Sequence, residues 1–139
     1  MPNPGFWENQ FVQVAGYVTV AIFCMAIFLV VFEMVTKYNN WEEIKKGNFA
    51  VALATGGKIF GISNIFRYSI ENNDSFILVI NWAIFGYIIL LVGYFAFEFL
   101  TPKLNVDDEI KNNNTAVGFL ACILSIGLSF IIGAGLSTF

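Results

Sequence analysis

Histidine is absent from this sequence, and charged residues make up only 12% of its 139 positions. Without histidine, the commonest general base and the commonest transition-metal ligand are both missing. An ordinary soluble domain carries about 25% charged residues, so a single water-soluble core is excluded. Seven Lys and Arg face ten Asp and Glu, a net charge of −3, which leaves no basic excess for a nucleic-acid surface. The two cysteines, Cys24 and Cys122, each lie inside an apolar run, so neither a disulfide framework nor a zinc site is indicated. Phosphate-cradling glycine loops, nucleophile elbows, metal-ligand spacings and CxxC pairs are lacking as well. No loop exceeds about 15 residues, too little to build a soluble active site. These absences lead us to expect no enzyme, no cofactor and no bound metal.

What remains is hydrophobicity: 58% of the residues are apolar, 16 of them Phe. No charge occurs between Glu8 and Glu33, between Asp74 and Glu98, or after Lys111. Each stretch exceeds the roughly 20 residues a helix needs to cross a bilayer. The spans read as 12–35, 76–100 and 116–138. The first has no basic leading segment and no small-residue cleavage site, and is too long for a signal peptide. A further segment, 49–70, holds Lys58 near its middle and Arg67 near its end. A Lys at the bilayer centre costs about 2.5–3.5 kcal/mol on insertion scales, so hydropathy alone leaves this segment open.

An internal repeat decides it. Residues 43–63 align with 109–129 at an offset of 66. The copies share Glu43-Ile44-Lys45 with Glu109-Ile110-Lys111, Asn48 with Asn114, Ala50-Val51 with Ala116-Val117, Gly61 with Gly127 and Ser63 with Ser129. Upstream, 32–36 matches 97–101 at an offset of 65, the insertion of Pro102 accounting for the change. The expectation is an all-α polytopic protein. Its four transmembrane helices would arise from a tandem, parallel duplication of a helix–loop–helix unit. It would form one membrane domain, 1–139, with units of about 12–70 and 76–138. Parallel units put both repeat loops on one side. Those loops carry Lys37, Lys45, Lys46, Lys103 and Lys111, against Arg67 alone opposite. By the positive-inside rule the loops are cytoplasmic and both termini outside. Trp7, Tyr17, Tyr68 and Trp82 would form an outer aromatic belt, and Tyr38, Trp41 and Tyr94 an inner one.

The repeat motif also carries a resemblance. Thr36-Lys-Tyr-Asn-Asn-Trp41-Glu-Glu-Ile44-Lys-Lys-Gly-Asn48-Phe-Ala50-Val-Ala-Leu-Ala54 resembles a signature of the YjfL-like small bacterial inner-membrane proteins, domain-of-unknown-function family 350. The stretch 108–118 is similar to that family's second copy. The resemblance covers essentially the whole chain. It implies a multi-pass protein of the bacterial inner membrane, linked by gene context to envelope-stress and polyamine-related operons. It supplies no catalytic or binding residues. Lys58 and the Phe-Glu pairs at 32–33 and 97–98 stand outside the family pattern.

Four groups of residues are candidates for function. The first is the repeated elbow, Trp41, Glu43, Ile44 and Asn48 with Glu109, Ile110 and Asn114. Asn48 and Asn114 suit N-caps, and Asn40 with Glu43 suits a capping box, ahead of a short interfacial helix with Trp41 and Ile44 toward the membrane. The elbows read as architecture or as a docking surface. The second is a set of small residues, Gly57 and Gly61 with Ala50 and Ala54, then Ala121, Ser125, Ser129 and Gly133 at four-residue intervals. Such stripes let membrane helices approach closely. They make the second and fourth helices the interior or oligomer-facing ones, with the Phe-rich first and third toward lipid.

Lys58 is the third candidate. At about ten residues from Asn48 it lies roughly 15 Å deep, too far to reach either interface. It must meet the bundle interior, a wet cavity or an acidic partner. It reads as a pore or proton-linked position, or as a buried ion pair. The fourth group is Glu33 and Glu98, equivalent carboxylates near helix ends, suited to interfacial anchoring or to proton or cation binding. Asp107-Asp108-Glu109 reads as a solvated helix start.

Two functions follow as expectations. One is a homo-oligomeric inner-membrane scaffold or assembly subunit. It would contact membrane lipids, bind no nucleic acid, and dock a membrane or cytoplasmic protein partner through paired elbows in envelope or membrane-stress homeostasis. The other is an oligomeric small-ion or small-solute channel or transporter lined by Lys58, and by Glu33 and Glu98.

Overall fold

A computed structural model describes residues 5–138, and among them all regular structure is helical. Four long helices carry the chain: α1 (Gln10–Val35), α3 (Phe49–Asn72), α4 (Phe76–Leu100) and α6 (Thr115–Leu136). All four are long and apolar enough to cross a membrane, so 49–72 joins the three charge-free segments. Two six-residue helices, α2 (Asn40–Lys45) and α5 (Val106–Lys111), sit in the α1–α3 and α4–α6 connections. Single 3-10 turns lie at Phe6–Glu8 and Pro102–Leu104.

The helix starts follow from their caps. Asn9 accepts from the Phe11 N–H and begins α1 two residues before the expected position 12. Asn48 and Asn114 adopt nearly the same backbone angles, φ −74°, ψ 98° and φ −75°, ψ 97°. Their side chains accept from Val51 and Val117, three residues on. Each also donates its amide N–H to the carboxylate five residues before it, Glu43 or Glu109. The cap expected at Asn40 falls one residue earlier, without the reciprocal bond of a capping box. Asn39 is the cap of α2, accepting from Glu42, while Asn40 becomes the first helical residue and turns inward. The reversal between each short helix and its long successor needs a positive φ, met by Gly47 at 89° and by Asn113 at 63°.

α3 and α6 form the centre of the bundle. A Cβ on Gly57 would sit 2.5 Å from the Cys122 Cα, and one on Gly118 would sit 2.6 Å from the Ala50 carbonyl oxygen. Gly61 lies against the Ser125 carbonyl, and Gly133 against the Tyr68 ring. Backbones this close need residues without side chains on the facing surfaces. The small-residue stripes therefore pack α3 on α6 within one chain. α4 covers one side of this pair and α1 covers α3. The Tyr87 hydroxyl of α4 donates to the Phe28 carbonyl of α1 at 2.8 Å, with the two rings stacked at 4.1 Å. The outward faces of α1 and α4 are rich in exposed Val, Ile and Phe, as lipid contact requires.

Candidate functional site

Lys58 stands in the elbow-side half of α3 and is fully buried. Its ammonium donates to the Tyr38 hydroxyl at 3.3 Å. The rings of Phe32, Tyr38 and Tyr94 surround it at 5.0, 5.4 and 5.4 Å from their centroids. Three elements build this cage: the last turns of α1, the α1–α2 connection and α4. Aromatic faces stabilise a cation by about 2 kcal/mol or more when it is desolvated. Here they stand in part for lost water.

Among the described residues, no ion pair closes on Lys58. Pairs within 4.0 Å join Lys37 to Asp108, Lys46 to Glu43 and Arg67 to Glu71. The carboxylates that attract Lys58 from further off are Asp107, Glu33 and Glu98, from α5, α1 and α4. Glu33 and Glu98 are half-buried near the ends of their helices.

Asp107 corrects an expectation. It is not part of a solvated helix start, being only 3% exposed, and its Oδ1 has no hydrogen-bond partner. The cause is local: the Pro102–Leu104 turn and a left-handed Asn105 (φ 48°) rotate α5 so that Val106 and Asp107 face inward. Asp108 remains outside, paired with Lys37. Burial pushes the Asp107 carboxyl above its ordinary range, against the opposing pull of Lys58 and then of Lys37. Burial, reinforced by the charge of Asp107, likewise holds the Tyr38 phenol in its protonated form.

Several other polar atoms around this end are buried without partners, both amide atoms of Asn40 and the Thr55 hydroxyl one turn before Lys58, while the Tyr94 hydroxyl faces that of Tyr38. Each unsatisfied atom costs about 1–3 kcal/mol. Polar interiors of this kind are completed by internal water. Past Lys58, further buried polar side chains follow the α3–α6 contact. Ser125 is unpartnered, Asn64 donates to the Ser129 hydroxyl at 3.0 Å, and Ser69 has an unpartnered hydroxyl.

The elbows bond to each other. Asn48 donates to the Lys111 carbonyl at 2.8 Å, and Asn113 accepts from the Ala50 N–H at 3.0 Å. Ile110 is fully buried and Ile44 packs on the core, whereas Trp41 is 55% exposed. A crevice of about 550 Å³ opens on this side, lined by Glu33, Lys37, Tyr38, Glu43, Lys46 and Lys111 among others. Tyr38, Tyr94, Asn40, Asn64 and Asp107 were not among the candidates read from sequence as functional. Two of the charged residues share a sequence signal, because each differs in character from the residue 66 positions away. Lys58 aligns with Leu124, and Asp107 with Trp41.

Residues 6–136 match the sequence model of the Domain of Unknown Function (DUF350). The chain belongs to this family. Among DUF350 relatives, it is 54% identical over 131 residues to UPF0719 transmembrane protein YshE of Bacillus subtilis (strain 168), covering 94% of this chain and 98% of that one. It is 27% identical over 104 residues to UPF0719 inner membrane protein YjfL of Escherichia coli (strain K12), covering 75% and 77%. A UPF0719 transmembrane protein of Aquifex aeolicus (strain VF5) is 22% identical over 138 residues, 95% of this chain and 51% of the relative. No solved structure matches the chain. Together with its four apolar helices, these relatives identify the DUF350 chain as a membrane protein.

Proposed function

We propose that this DUF350 protein is a small-ion transport unit of the bacterial inner membrane, with Lys58 on the path. The observation that carries the reading is Lys58 itself: an ammonium buried within a membrane span, with no carboxylate at ion-pair distance. Intramembrane ionisable groups are expensive and mark ion pathways or proton relays. Support also comes from further buried polar side chains on α3 and α6, Ser125, Asn64, Ser129 and Ser69. Glu33 lines the elbow-side crevice, and Glu98 acts on Lys58 from the end of α4. The elbows are cytoplasmic and the termini outside, as the lysine bias suggests. The chain arose by tandem duplication, and the matched caps at Asn48 and Asn114 favour that origin. The activity is transport and not catalysis.

The test is flux in proteoliposomes for the wild type and for Lys58→Leu. The variant is expected to assemble as the wild type does and to lose ion flux. Unchanged flux would remove Lys58 from the path.

A second reading rests on Trp41, a large aromatic left 55% exposed on a bonded pair of elbows. In it the protein is a homo-oligomeric scaffold that docks a partner there, in envelope or membrane-stress homeostasis. Loss of a co-purifying protein on Trp41→Ala, with flux absent from the wild type, would favour it over transport.

A further inference from the structure

The crevice on the elbow side and the buried lysine meet at one residue. Tyr38 lines the crevice and accepts the hydrogen bond from Lys58, while only 4% of its own surface is exposed. Resting on the transport reading above, we propose that the species carried is the proton, and that Tyr38 is the relay and gate between the crevice and Lys58.

The chemistry of the surroundings selects the proton over other ions. A metal cation entering from the crevice would have to share the cage with an ammonium already held by three rings at 5.0–5.4 Å. The same charge would repel it. An anion would be drawn to Lys37, Lys46 and Lys111 at the crevice, beside Glu33 and Glu43. It would then meet Asp107 and Glu98 around Lys58 and find no room inside the three-ring cage. A proton needs no such space. Tyr38 Oη–H and Lys58 Nζ–H are both exchangeable, and the contact between them is a hydrogen bond at 3.3 Å.

The transfer balances with water alone. The Lys58 ammonium gives one proton to Tyr38 Oη as the phenol releases its own proton to a crevice water. Lys58 is left neutral, Tyr38 is regenerated as a phenol, and the water becomes hydronium. Lys58 then takes a proton from a hydronium arriving from the other side of the cage, which is left as water. One proton has crossed the cage, and only N–H and O–H bonds have formed and broken. The reverse sequence runs under the opposite gradient. Tyr38 is fit for this role because burial and the charge of Asp107 keep it a phenol.

The test uses the full chain in proteoliposomes, with a trapped pH dye and an imposed potassium diffusion potential. Parallel vesicles read sodium, potassium and chloride. The wild type is expected to move protons and none of the other ions. Tyr38→Phe keeps the rings of the cage but has no exchangeable proton, and should lose proton flux at least about 100-fold while retaining wild-type helicity and elution volume in detergent. Wild-type flux in D2O should be slower than in H2O, a readout that stands even if the Phe variant does not fold. Proton flux in Tyr38→Phe equal to wild type would overturn the gate. Flux of sodium, potassium or chloride in place of protons would overturn the choice of species while leaving transport intact. Absence of every flux in the wild type would overturn the transport reading itself.

Discussion

Asp107 and Lys58 occupy opposite ends of one electrostatic problem: two charges out of water, near each other and not in contact. Their shared environment gives a pH signature. Folding disfavours the ionised form of Asp107, because burial raises its carboxyl above the ordinary value of 3.8 despite the pull of Lys58. A carboxyl raised in the folded state contributes stability that is complete at low pH. That contribution is lost as pH climbs from the ordinary value through the raised one. The wild type should therefore lose melting temperature over that window, and Asp107→Asn should lose less. Melting curves in detergent from pH 4 upward check this; parallel pH profiles for the two proteins would mean that Asp107 is solvated. Lys58 was legible in the sequence because a lysine about 15 Å into a helix has few places to go. Asp107 and Tyr38 were not. The orientation of a six-residue helix depends on the turn ahead of it, and a left-handed Asn105 has no signature that separates it from any other loop asparagine.

At the scale of the helix, the α3–α6 contact is set by which glycines face it. Gly56 and Gly57 are neighbours in sequence with opposite surroundings. Nothing lies within 4 Å of a Cβ added to Gly56, whereas one on Gly57 meets the Cys122 backbone at 2.5 Å. Gly57→Ala should force the two helices apart and lower stability by about 1–3 kcal/mol. Gly56→Ala should be neutral or stabilising by up to about 1 kcal/mol, since alanine is the better helix former. Thermal unfolding of the pair distinguishes the two sites, and equal effects would place the helix contact elsewhere. The GxxxG spacing exposed this face in the sequence, but not whether another copy or another part of the same chain would fill it. The caps were legible with a one-residue error at α2. Asn39 and Asn40 are chemically alike, and only packing chooses which of them turns inward.

For the molecule as a whole, the four-helix layout was legible from charge-free runs and from the self-similarity at an offset of 66 that marked 49–70 as a span. The boundaries moved by at most two residues. That layout puts both short helices on one face. Asn39→Cys and Asn112→Cys, each in a background without Cys24 and Cys122, should label together with a membrane-impermeant reagent or stay dark together, since both positions are exposed beside the elbows. Labelling of one alone in sealed, uniformly oriented vesicles would break the four-span arrangement. What the sequence did not reveal was that the chain's two halves are tied across their elbows, since that depends on long-range hydrogen bonds of single asparagines.

That tie has a consequence for biosynthesis. The first turn of α3 is completed by Asn113, a residue 63 positions downstream of the Ala50 N–H it caps. While the ribosome is still making α4, the helix that holds the buried lysine has neither its cross-chain cap nor the α6 surface that covers its glycines. The span least able to enter lipid unaided is thus the last to be finished. Until the second half emerges, the Ala50 N–H and the Gly57 and Gly61 face stand without their partners.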